Sequence, residues 1–499
     1  IGEYCTKYHN RHKEAYDAFN LSFDYFGRTS SLQNEEITYH IFEQLDKNGY
    51  IEEKSIKQIF SVDDNRFLPD RYVTGTCPHC GYDKARGDQC ENCTKVLEPT
   101  ELINPRSTIS GSTNLEVRET KHLFLKLPLL EKRLAEWVKT KEPFWPDVAY
   151  SIAQKWLKEG LQERCITRDL KWGFSVPKPG FEGKVFYVWF DAPIGYIGIT
   201  KQWADEKPAE RDWKSWWLGA KDVRYIEFMG KDNVPFHSIS FPATLLGTSE
   251  DWTFVDYLKG MSYLTYEGGK FSKSEKRGIF AEDAVKEFPA DYWRYWLMSN
   301  APEGSDASFS FDLFASVVNK DLNGVLGNFV SRVLKMTASK IGEQIPAGGE
   351  MTDIEKDLIG VLQNRVNDYL KYMNDLEFRK ALNELRAVWV EGNNYISTTE
   401  PWTVIKTDAE RAAAILRTCI NLIRIFAVLS APIMPATSAA MLNKLGLTSA
   451  DVPSLKDFDI SKEITALEAG RPFTVGDMLF ERITPERVEE LKQKYGSEK

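Results

Sequence analysis

The spacing of apolar residues predicts helix over the first sixty positions of the chain. Ile37, Ile41 and Leu45 fall on one face of a helix, because residues three and four apart share a face. Ser31 is a residue type that caps helix starts, and Gly49 is one that ends them. We therefore expect helix throughout this stretch.

The pattern changes to strand-like runs from Lys184 onward. Val185 to Phe190 is a short aromatic and β-branched run of the kind found in buried strands. Similar runs predict further strands at Asp222–Met229, Trp252–Val255 and Met261–Tyr266. Helical patterns predict helices at 127–140 and 148–160. Helices alternating with strands predict βα units and a parallel sheet.

The chain beyond about Ser316 is helical in pattern almost throughout. Its most apolar run, 412–434, is interrupted by Arg417 and Arg424 and keeps helical spacing. Such a run is typical of a buried bundle helix and argues against a membrane span. The fold class predicted is therefore α/β plus all-α.

Composition narrows the class of protein without identifying it. A chain of 499 residues is too long for one core and predicts about three domains. The net charge of −9 gives no basic footprint for nucleic acid, so any RNA contact must come from local patches. The first residues contain no apolar signal segment, and we expect a cytoplasmic protein.

Four of the seven cysteines form a metal-binding pattern. Cys77 and Cys80 make one Cys-x-x-Cys turn, and Cys90 and Cys93 make another. Two such turns bring four thiolates together around one zinc ion. Because all four ligands are thiolates, no coordination position is left for water, and we predict structural zinc. The alternative is four reduced cysteines without a metal.

Two other segments carry candidate chemistry at predicted strand ends. The run from Phe186 to Tyr196 combines a strand with a Pro/Gly turn, and Gly230 to His237 begins at the next strand end. Open α/β sheets bind ligands at such ends. Asp232 could accept hydrogen bonds from a ribose, with His237 about one helical turn later. A core aromatic cluster and a helix-capping Asp are the alternatives.

A cationic loop lies between these segments and the helical part. Two glycines, Gly268 and Gly269, precede Lys270-Phe271-Ser272-Lys273-Ser274. A mobile lysine loop of this kind can stabilise charge that develops on phosphate. Taken alone, the motif is better explained by a solvated lysine-rich turn. The segment is not a P-loop, because Gly-x-x-x-x-Gly-Lys does not occur.

Together these segments resemble the methionyl-tRNA synthetase family. The lysine loop is similar to the KMSKS signature of class I synthetases, and Phe271 is similar to the eukaryotic cytosolic variant of it. The Cys knuckle lies about a hundred residues upstream of the Tyr187–Tyr196 segment, as in that family. Synthetases for valine, isoleucine, leucine or cysteine would not be expected to combine Trp189, Tyr196 and His237.

The resemblance implies a role for each matching residue. A methionine pocket would be formed by Trp189, Ala192, Pro193, Tyr196, Asn233, His237 and Phe241. ATP, bound with Mg²⁺, would contact Gly230, Asp232 and Lys273, and the catalytic residues would be Lys270, Lys273 and, near the site, Arg168. The anticodon of tRNA(Met) would be read by Asn328, Arg332 and Trp402.

The resemblance also implies a domain order, with a Rossmann-type catalytic domain that contains the zinc knuckle and a helical-bundle anticodon-binding domain. The predicted boundaries are the rest of the first Rossmann half at 1–65, a connective insertion at 66–180 with the knuckle at 77–93, the second Rossmann half at 181–260, the KMSKS-loop linker at 261–320, and the anticodon domain at 321–499.

The His-x-Gly-His signature of class I synthetases does not occur in the sequence. His9-Asn10-Arg11-His12 has Arg in place of the Gly, and we read it as a surface helix turn. Since the family places that signature and its strand before the segment matching Ile1, we expect this chain alone to be nearly inactive. The alternative function is a catalytically incomplete fragment that retains only anticodon binding. Other synthetases or scaffold proteins are further candidate partners.

Overall fold

The computed structural model describes residues 1–69, 72–87, 90, 92–93, 97–272 and 276–496. The chain forms two compact units. The first consists of Ile1–His9 and Phe23–Met261, and the second of Asn10–Ser22 and Ser262–Lys499.

The first unit contains both helices and strands. Its helices are α1 (Gly2–Ala18, which begins in this unit), α2 (Leu32–Lys47), α3 (Glu131–Lys139), α4 (Asp147–Glu159), α5 (Val188–Asp205), α6 (Lys214–Trp217) and α7 (Phe241–Thr248). Its strands are β1 (Ile51–Ser61), β2 (Arg66–Phe67), β3 (Val73–Thr76), β4 (Ala85–Arg86), β5 (Ile103–Ser107), β6 (Leu115–Leu125), β7 (Arg164–Cys165), β8 (Thr167–Arg168), β9 (Val185–Phe186), β10 (Ile226–Gly230) and β11 (Tyr257–Met261).

The strands of the first unit form several sheets. One antiparallel sheet has the order β2-β1-β6-β7, a second has the order β4-β3-β5, and β8 pairs with β9. β10 and β11 are parallel and in register from Ile226↔Tyr257 to Gly230↔Met261. Their carboxyl ends therefore meet at one edge, which is where α/β folds bind ligands.

Helices α2 and α5 of the first unit pack at very short range. A Cβ on Gly198 would lie 2.7 Å from the Cα of Asn34, and one on Gly195 would lie 2.7 Å from Thr29. Ser31 accepts a hydrogen bond from the Asn34 backbone N–H at 3.2 Å and so caps α2, as predicted. The two glycines thus let α5 lie against the start of α2.

The second unit is almost entirely helical. Its helices are α8 (Ala281–Glu287), α9 (Ala290–Ser299), α10 (Phe311–Val317), α11 (Asn328–Lys340), α12 (Asp353–Asn374), α13 (Phe378–Thr399), α14 (Pro401–Val404), α15 (Ala409–Ser430), α16 (Pro435–Lys444), α17 (Ile460–Glu463) and α18 (Pro485–Tyr495). Its parallel strand pair consists of β12 (Leu264–Tyr266) and β13 (Ala307–Phe309).

Helix α15 is the centre of the second unit. By length and composition it could cross a membrane, but 89% of its apolar window is buried inside the structure. Ile420, Ile423 and Phe426 are fully buried in the main core cluster of this unit. The prediction of a buried bundle helix is confirmed.

The prediction of helix over the first sixty residues is confirmed only for Gly2–Ala18 and Leu32–Lys47; residues 19–31 are not helical, and a strand begins at Ile51. β1 pairs antiparallel with β6 over its whole length, from Ile51↔Leu125 to Ser61↔Leu115. The partner strand is distant in sequence, so local spacing could not reveal it. His9 and His12 lie in α1, which agrees with a helical turn.

The strand predicted at Val185–Phe190 is also largely wrong. Only Val185 and Phe186 are extended, and α5 begins at Val188. Buried Phe190, Ile194 and Ile197 are spaced three and four apart, which is the helical pattern. Aromatic composition suggested a strand where this spacing favoured a helix.

The three remaining strand predictions have mixed outcomes. The strand expected at 222–229 runs instead over Ile226–Gly230, and the segment 252–255 contains no strand. The run expected at 261–266 is divided between the end of β11 and β12. The helices predicted at 127–140 and 148–160 are confirmed as α3 and α4.

Candidate active site and anticodon site

The end of β10 turns directly into a helical segment. Asn233 N–H donates to the Gly230 carbonyl at 2.9 Å, and Lys231 N–H donates to the Met261 carbonyl at 2.7 Å. A Cβ on Gly230 would lie 2.7 Å from Asp232 Oδ1. The exposed Asp232 carboxylate therefore lies close against the backbone of Gly230.

A π-helical turn, Phe236–Ser240, follows this strand end and carries His237. Such turns are rare and are frequent at functional sites. His237 Nδ1 lies 3.0 Å from the Asn233 carbonyl oxygen, and Nε2 lies 2.9 Å from the Tyr196 hydroxyl. Because a carbonyl only accepts, Nδ1 carries the proton and Nε2 accepts from Tyr196.

His237 is neutral in this arrangement. Its side chain is buried, and burial lowers the pKa of the imidazole from its usual value, although the bond to the Asn233 carbonyl opposes this. Protonation would also turn Nε2 into a donor facing the Tyr196 O–H. The chain from Tyr196 to His237 to Asn233 is therefore an uncharged polar wall.

Aromatic rings surround this wall. The ring of Trp189 stacks on Phe236 with centroids 3.9 Å apart and an interplanar angle of 7°. Phe241 presents its ring to Tyr196 at 6.4 Å. Trp189 and Tyr196 both lie on α5, with Ala192 and Pro193 between them.

Most of the residues predicted for the methionine pocket thus lie on two elements, α5 and the turn after β10. Asn233 takes part through its backbone carbonyl. Phe236 was missed by the sequence prediction, although it directly precedes His237. Phe236 and Trp189 are 47 positions apart in the sequence, so local sequence patterns could not predict that their rings stack.

Two buried carboxyl groups near the pocket were also missed. Burial raises the pKa of Asp191 in α5 to about 7 and that of Glu227 in β10 to about 8. The Tyr225 hydroxyl donates to one Glu227 oxygen. Within the described residues, Asp191 Oδ1 and Glu227 Oε2 have no hydrogen-bond partner. Glu227, a single carboxylate in an otherwise apolar strand, was the signal available in the sequence.

Arg168 lies in β8, beside the residues that precede α5. It pairs with Val185, and its guanidinium stacks over the Tyr187 ring at 3.7 Å. Its Nη1 donates to the Thr167 carbonyl at 2.9 Å. Arg168 therefore holds the start of α5, two residues before Trp189.

The lysine loop lies in the second unit and begins as a tight hairpin. Tyr266 and Gly269 exchange backbone hydrogen bonds at 2.8 and 2.9 Å, and Ser272 and Arg277 do so at 3.0 and 2.8 Å. Phe271 packs against the Tyr266 ring at 5.7 Å. Lys270 is exposed on this hairpin.

Lys273 and Ser274 lie outside the described residues, so the predicted role of Lys273 has no structural counterpart here. The packing of Phe271 does explain an apolar residue at this position. It anchors the hairpin to the aromatic core of the second unit, next to the exposed Lys270.

A second candidate site lies on helices α11 and α14. Asn328 is exposed at the start of α11, and Arg332 follows one turn later. The Arg332 guanidinium lies 5.8 Å from the centroid of the Trp402 ring, which is 39% exposed. Among the described residues, Nε and Nη2 of Arg332 have no hydrogen-bond partner. A cationic donor and an open aromatic face are thus presented together.

The four cysteines of the knuckle converge as predicted. Their sulfur atoms all lie within 4.8 Å of one another. Cys77 Sγ is 3.8 Å from Cys93 Sγ, and Cys80 Sγ is 3.6 Å from Cys90 Sγ. Zinc bonded to four thiolates at about 2.3 Å places neighbouring sulfurs about 3.8 Å apart. The donor set and spacing therefore fit a zinc ion.

The knuckle has a small hydrophobic core of its own. Buried Val73, Ala85, Leu97 and Leu102 pack around it. The hydrogen bond from Asn92, with a smaller contribution from the Tyr82 backbone, lowers the pKa of the Cys80 thiol to about 6. With four sulfur ligands, the cluster has the composition of a structural and not a catalytic site.

The first unit has a site at the ends of parallel strands. The second unit has a lysine hairpin and an open Trp–Arg surface on its helices. This combination is typical of a class I aminoacyl-tRNA synthetase. The similarities to known proteins agree. Residues 1–334 match the family model described as tRNA synthetases class I (M). Residues 345–499 match the anticodon binding domain of methionyl tRNA ligase. The chain belongs to the methionyl-tRNA synthetase family.

Individual relatives cover nearly the whole chain. A methionine–tRNA ligase of Streptomyces avermitilis is 54% identical over 99% of this chain and 88% of its own length. A methionine–tRNA ligase of Cereibacter sphaeroides is also 54% identical, over 99% of this chain and 87% of its own length. These relatives are bacterial, so the resemblance of Phe271 to a eukaryotic variant does not indicate a eukaryotic origin.

A solved structure has the same fold. It is the Mycobacterium tuberculosis methionyl-tRNA synthetase in complex with methionyl-adenylate. Its TM-score is 0.74 at 22% identity, with 95% of this chain and 86% of that chain covered. The predicted fold class, a class I catalytic domain with a helical anticodon-binding domain, is confirmed.

Proposed function

We propose that this protein is a methionine–tRNA ligase. In the first step a carboxylate oxygen of L-methionine bonds to the α-phosphorus of ATP, and pyrophosphate leaves. In the second step the 3′-terminal hydroxyl of tRNA(Met) attacks the carbonyl carbon of methionyl-adenylate, and AMP leaves. Family membership and relatives named methionine–tRNA ligase support this reaction.

The observation that carries the substrate assignment is the uncharged chain from Tyr196 to His237 to Asn233. The methionine side chain has a thioether, which is apolar, polarisable and at most a weak acceptor. A neutral wall accommodates it without burying an unpaired charge. The same wall disfavours amino acids with charged side chains.

The surrounding rings support recognition of sulfur. Trp189 stacked on Phe236, with Phe241 beyond Tyr196, presents aromatic surface on several sides. Contacts between a thioether and an aromatic ring are worth about 0.3–1.5 kcal/mol. We assign Ala192 and Pro193 to the floor between the rings, since they lie between Trp189 and Tyr196 on α5.

ATP recognition is assigned to the edge of the parallel strands and to the lysine loop. Gly230 allows close approach, and Asp232 offers an exposed carboxylate to the ribose hydroxyls. Lys270 and Lys273 supply positive charge for the departing pyrophosphate. Arg168 contributes by holding the start of α5. Mg²⁺ accompanies ATP as the counterion of its phosphates.

The absence of His-x-Gly-His from the sequence bears on the adenylation step. The prediction that this chain alone is nearly inactive stays a prediction, and measurable aminoacylation by it would contradict that prediction. It does not bear on anticodon binding, which involves other residues.

Anticodon recognition is assigned to the surface of α11 and α14. Arg332 and Asn328 can donate hydrogen bonds to base edges, and Trp402 offers a ring for stacking. Single-stranded loop bases are recognised in this way. Within the described residues, two buried nitrogens of Arg332 have no hydrogen-bond partner, and this supports a ligand at this position.

We further propose that Cys77, Cys80, Cys90 and Cys93 hold one structural zinc ion. Their spacing and all-thiolate composition support this assignment. Metal analysis of the purified protein should give about one zinc per chain. A protein that folds normally and contains no zinc would contradict the proposal.

A non-catalytic anticodon-binding protein is the alternative function. Filter binding of tRNA(Met) and calorimetric titration with L-methionine on the same preparation separate the two. A ligase binds both, whereas a pure anticodon binder binds tRNA alone. Saturable tRNA binding without any methionine binding would therefore contradict the proposed function.

We propose a cytoplasmic location for this protein. Relatives that are bacterial ligases support a cytoplasmic location, since charged tRNA is used there. Nothing in the similarities described above supports association with other synthetases or scaffold proteins.

A further inference from the structure

A network of polar side chains lies in the first unit close before helix α5, and the proposed reaction does not use it. Its centre is Asp169, whose side chain is 16% exposed. One carboxylate oxygen of Asp169 lies 3.0 Å from Nε2 of the buried His122. The Lys184 ammonium donates to the other oxygen, and the Lys184 side chain is 10% exposed. Since a carboxylate only accepts, Nε2 of His122 carries the proton.

Two hydroxyl groups complete the network. The Thr120 hydroxyl accepts from Lys184 Nζ at 2.7 Å and donates to Asp169 at 3.1 Å. The Thr167 hydroxyl lies 2.9 Å from Nδ1 of His122 and accepts from a backbone N–H of β6 at 3.1 Å. Among the described residues, none of these side chains has a buried polar atom without a hydrogen-bond partner. The hydrogen bonds of the network are therefore complete.

The network joins β8 and β9 and anchors both on β6. Asp169 directly follows β8, and Lys184 directly precedes β9. The two strands pair over two residues each, and so short a ladder is weak by itself. The contact between the Asp169 and Lys184 side chains, which Thr120 and His122 tie to β6, therefore holds β9 in place against β8.

Strand β9 leads directly into the proposed methionine pocket. Tyr187, the residue between β9 and α5, donates its backbone N–H to the Ile166 carbonyl at 2.9 Å. The Arg168 guanidinium lies over the Tyr187 ring, and Trp189 is the second residue of α5. A shift of β9 against β8 would therefore move Trp189 and its stack on Phe236.

We propose that Asp169 is a positioning residue of the methionine pocket, which fixes β9 against β8 and thereby sets the position of Trp189. Well-packed apolar side chains would stabilise this region as well as an ion pair does, or better. A hydrogen-bonded network adds a constraint that apolar contacts lack, because each bond depends on direction as well as distance. The network therefore selects one position of β9. This inference rests on the proposed function.

The main test is methionine binding by Asp169→Asn. Asparagine has the same shape, but its amide nitrogen is a donor, so that either Lys184 or His122 faces another donor. The dissociation constant of L-methionine is measured by calorimetry at pH 7. We expect Asp169→Asn to bind methionine at least about fivefold more weakly than the unsubstituted protein.

Thr120→Val and Thr120→Ser are a matched pair, which decides the question if Asp169→Asn does not fold. Valine keeps the shape of threonine and removes the hydroxyl, whereas serine keeps the hydroxyl. We expect Thr120→Val to weaken methionine binding at least about threefold and Thr120→Ser to stay within about twofold of the unsubstituted protein. Asp63→Asn, which changes an exposed carboxylate bonded to Ser112 and Asn114 in the same unit, is the surface control and should bind normally.

Fluorine NMR separates positioning from a loss of stability. The protein is labelled with fluorotryptophan, and the Trp189 resonance is identified by its absence from Trp189→Phe. We expect this resonance to shift or split in Asp169→Asn and Thr120→Val, and to keep its place in Thr120→Ser and Asp63→Asn. A purely structural role of the network would leave the resonance of the folded protein unmoved.

Equal methionine affinity of the unsubstituted protein and Asp169→Asn, or Thr120→Val where the first variant does not fold, would overturn the inference and leave the proposed function intact. Weaker binding with an unmoved Trp189 resonance would also overturn it, because the effect would not pass through the start of α5. The same holds if Thr120→Ser weakens binding as much as Thr120→Val, because the hydroxyl would then not be the cause. No methionine binding by the unsubstituted protein would overturn the proposed function, and the inference with it.

Discussion

The imidazole of His237 has both nitrogens in use, one donating to the Asn233 carbonyl and one accepting from Tyr196. This pattern requires the neutral ring, and burial lowers its pKa from the usual value of about 6.5. A group whose pKa is lowered by folding keeps its neutral form as the pH falls past the ordinary value. The polar wall of the pocket therefore holds over the pH range in which a free histidine would charge.

The first residue-scale prediction concerns Tyr196→Phe. Removing the hydroxyl leaves His237 Nε2 as a buried acceptor without a donor, which is worth about 1–3 kcal/mol. Methionine affinity should fall by about five- to 150-fold in a calorimetric titration. Tyr25→Phe, whose hydroxyl bonds to the exposed Glu206 at 2.8 Å, is the control and should bind normally.

The same titration tests the charge state of His237. Between about pH 7.5 and pH 6.5 the affinity of the unsubstituted protein should stay constant, and it should decline only at lower pH. A decline centred at pH 6.5 would contradict a neutral, buried His237.

The second residue-scale prediction concerns Glu355, a buried acid in the helical unit. Arg411 forms two hydrogen bonds to it, at 3.0 and 2.7 Å, and Tyr395 donates to it as well. Burial raises the pKa of this carboxyl, but the bonds from Arg411, Tyr395 and Thr352 outweigh that effect and lower it to about 2. Ionised Glu355 therefore stabilises the fold.

Glu355→Gln should lower the free energy of unfolding in urea by about 3 kcal/mol at pH 7. This value is near the lower end of the range for breaking a buried ion pair, because the Arg411 side chain keeps some contact with water. The lowered pKa means that this contribution is present above about pH 4.5 and is lost as the pH falls towards 2. Lys356→Gln, which removes one partner of an exposed pair with Asp353, should change little. A constant difference between pH 7 and pH 2.5 would contradict the assignment.

Residues differ in how well the sequence could predict their place. The four cysteines of the knuckle are close in sequence, so their spacing alone predicted that they cluster. Tyr196 and His237 lie 41 positions apart, and only the resemblance to a family placed them together. Glu227 and Phe236 match no role assigned by the resemblance, and they became visible only through their contacts.

At the scale of elements, α5 is the most informative part of the first unit. It carries Trp189 and Tyr196, and its glycines allow contact with α2 that any side chain would prevent. Its aromatic start resembled a strand, because composition does not separate a short buried strand from a buried helix. The spacing of its buried residues was the better guide.

Gly198→Ala should disturb this helix contact. The new Cβ would lie 2.7 Å from the Cα of Asn34, a backbone atom that cannot move alone. We expect a loss of about 1–3 kcal/mol in the free energy of unfolding and weaker methionine binding, since Tyr196 is two residues away.

The matched control for that substitution is Gly360→Ala in helix α12. Nothing lies within 4 Å of a Cβ at Gly360, and its backbone is helical. Alanine there should be neutral or stabilise by up to about 1 kcal/mol. If Gly198→Ala were equally well tolerated, the close packing of α2 and α5 would not determine the pocket.

At the scale of the whole molecule, the two units carry separate recognition sites. The first unit holds the proposed methionine pocket and the cysteine knuckle, and the second holds the lysine hairpin and the Trp–Arg surface. The helical character of the second unit was predictable from its apolar spacing. The antiparallel pairing of β1 with β6 was not, since it depends on partners far apart in the chain.

Because the two proposed sites lie in different units, a substitution in one site should impair the binding of one ligand and leave the binding of the other unchanged. Trp402→Ala should weaken tRNA(Met) binding in a filter assay by about 1–3 kcal/mol, the range for loss of one stacked base. Methionine binding should stay unchanged, because Trp402 lies in the other unit. Equal tRNA affinity for the variant and the unsubstituted chain would contradict the anticodon assignment.

The most direct test of the central claim is a calorimetric comparison of L-methionine with leucine, isoleucine, valine and cysteine on the unsubstituted chain at pH 7. The pocket described here predicts saturable methionine binding, with every competitor at least about tenfold weaker. Comparable affinity for a competitor, or no methionine binding, would contradict the assignment of this protein as a methionine–tRNA ligase.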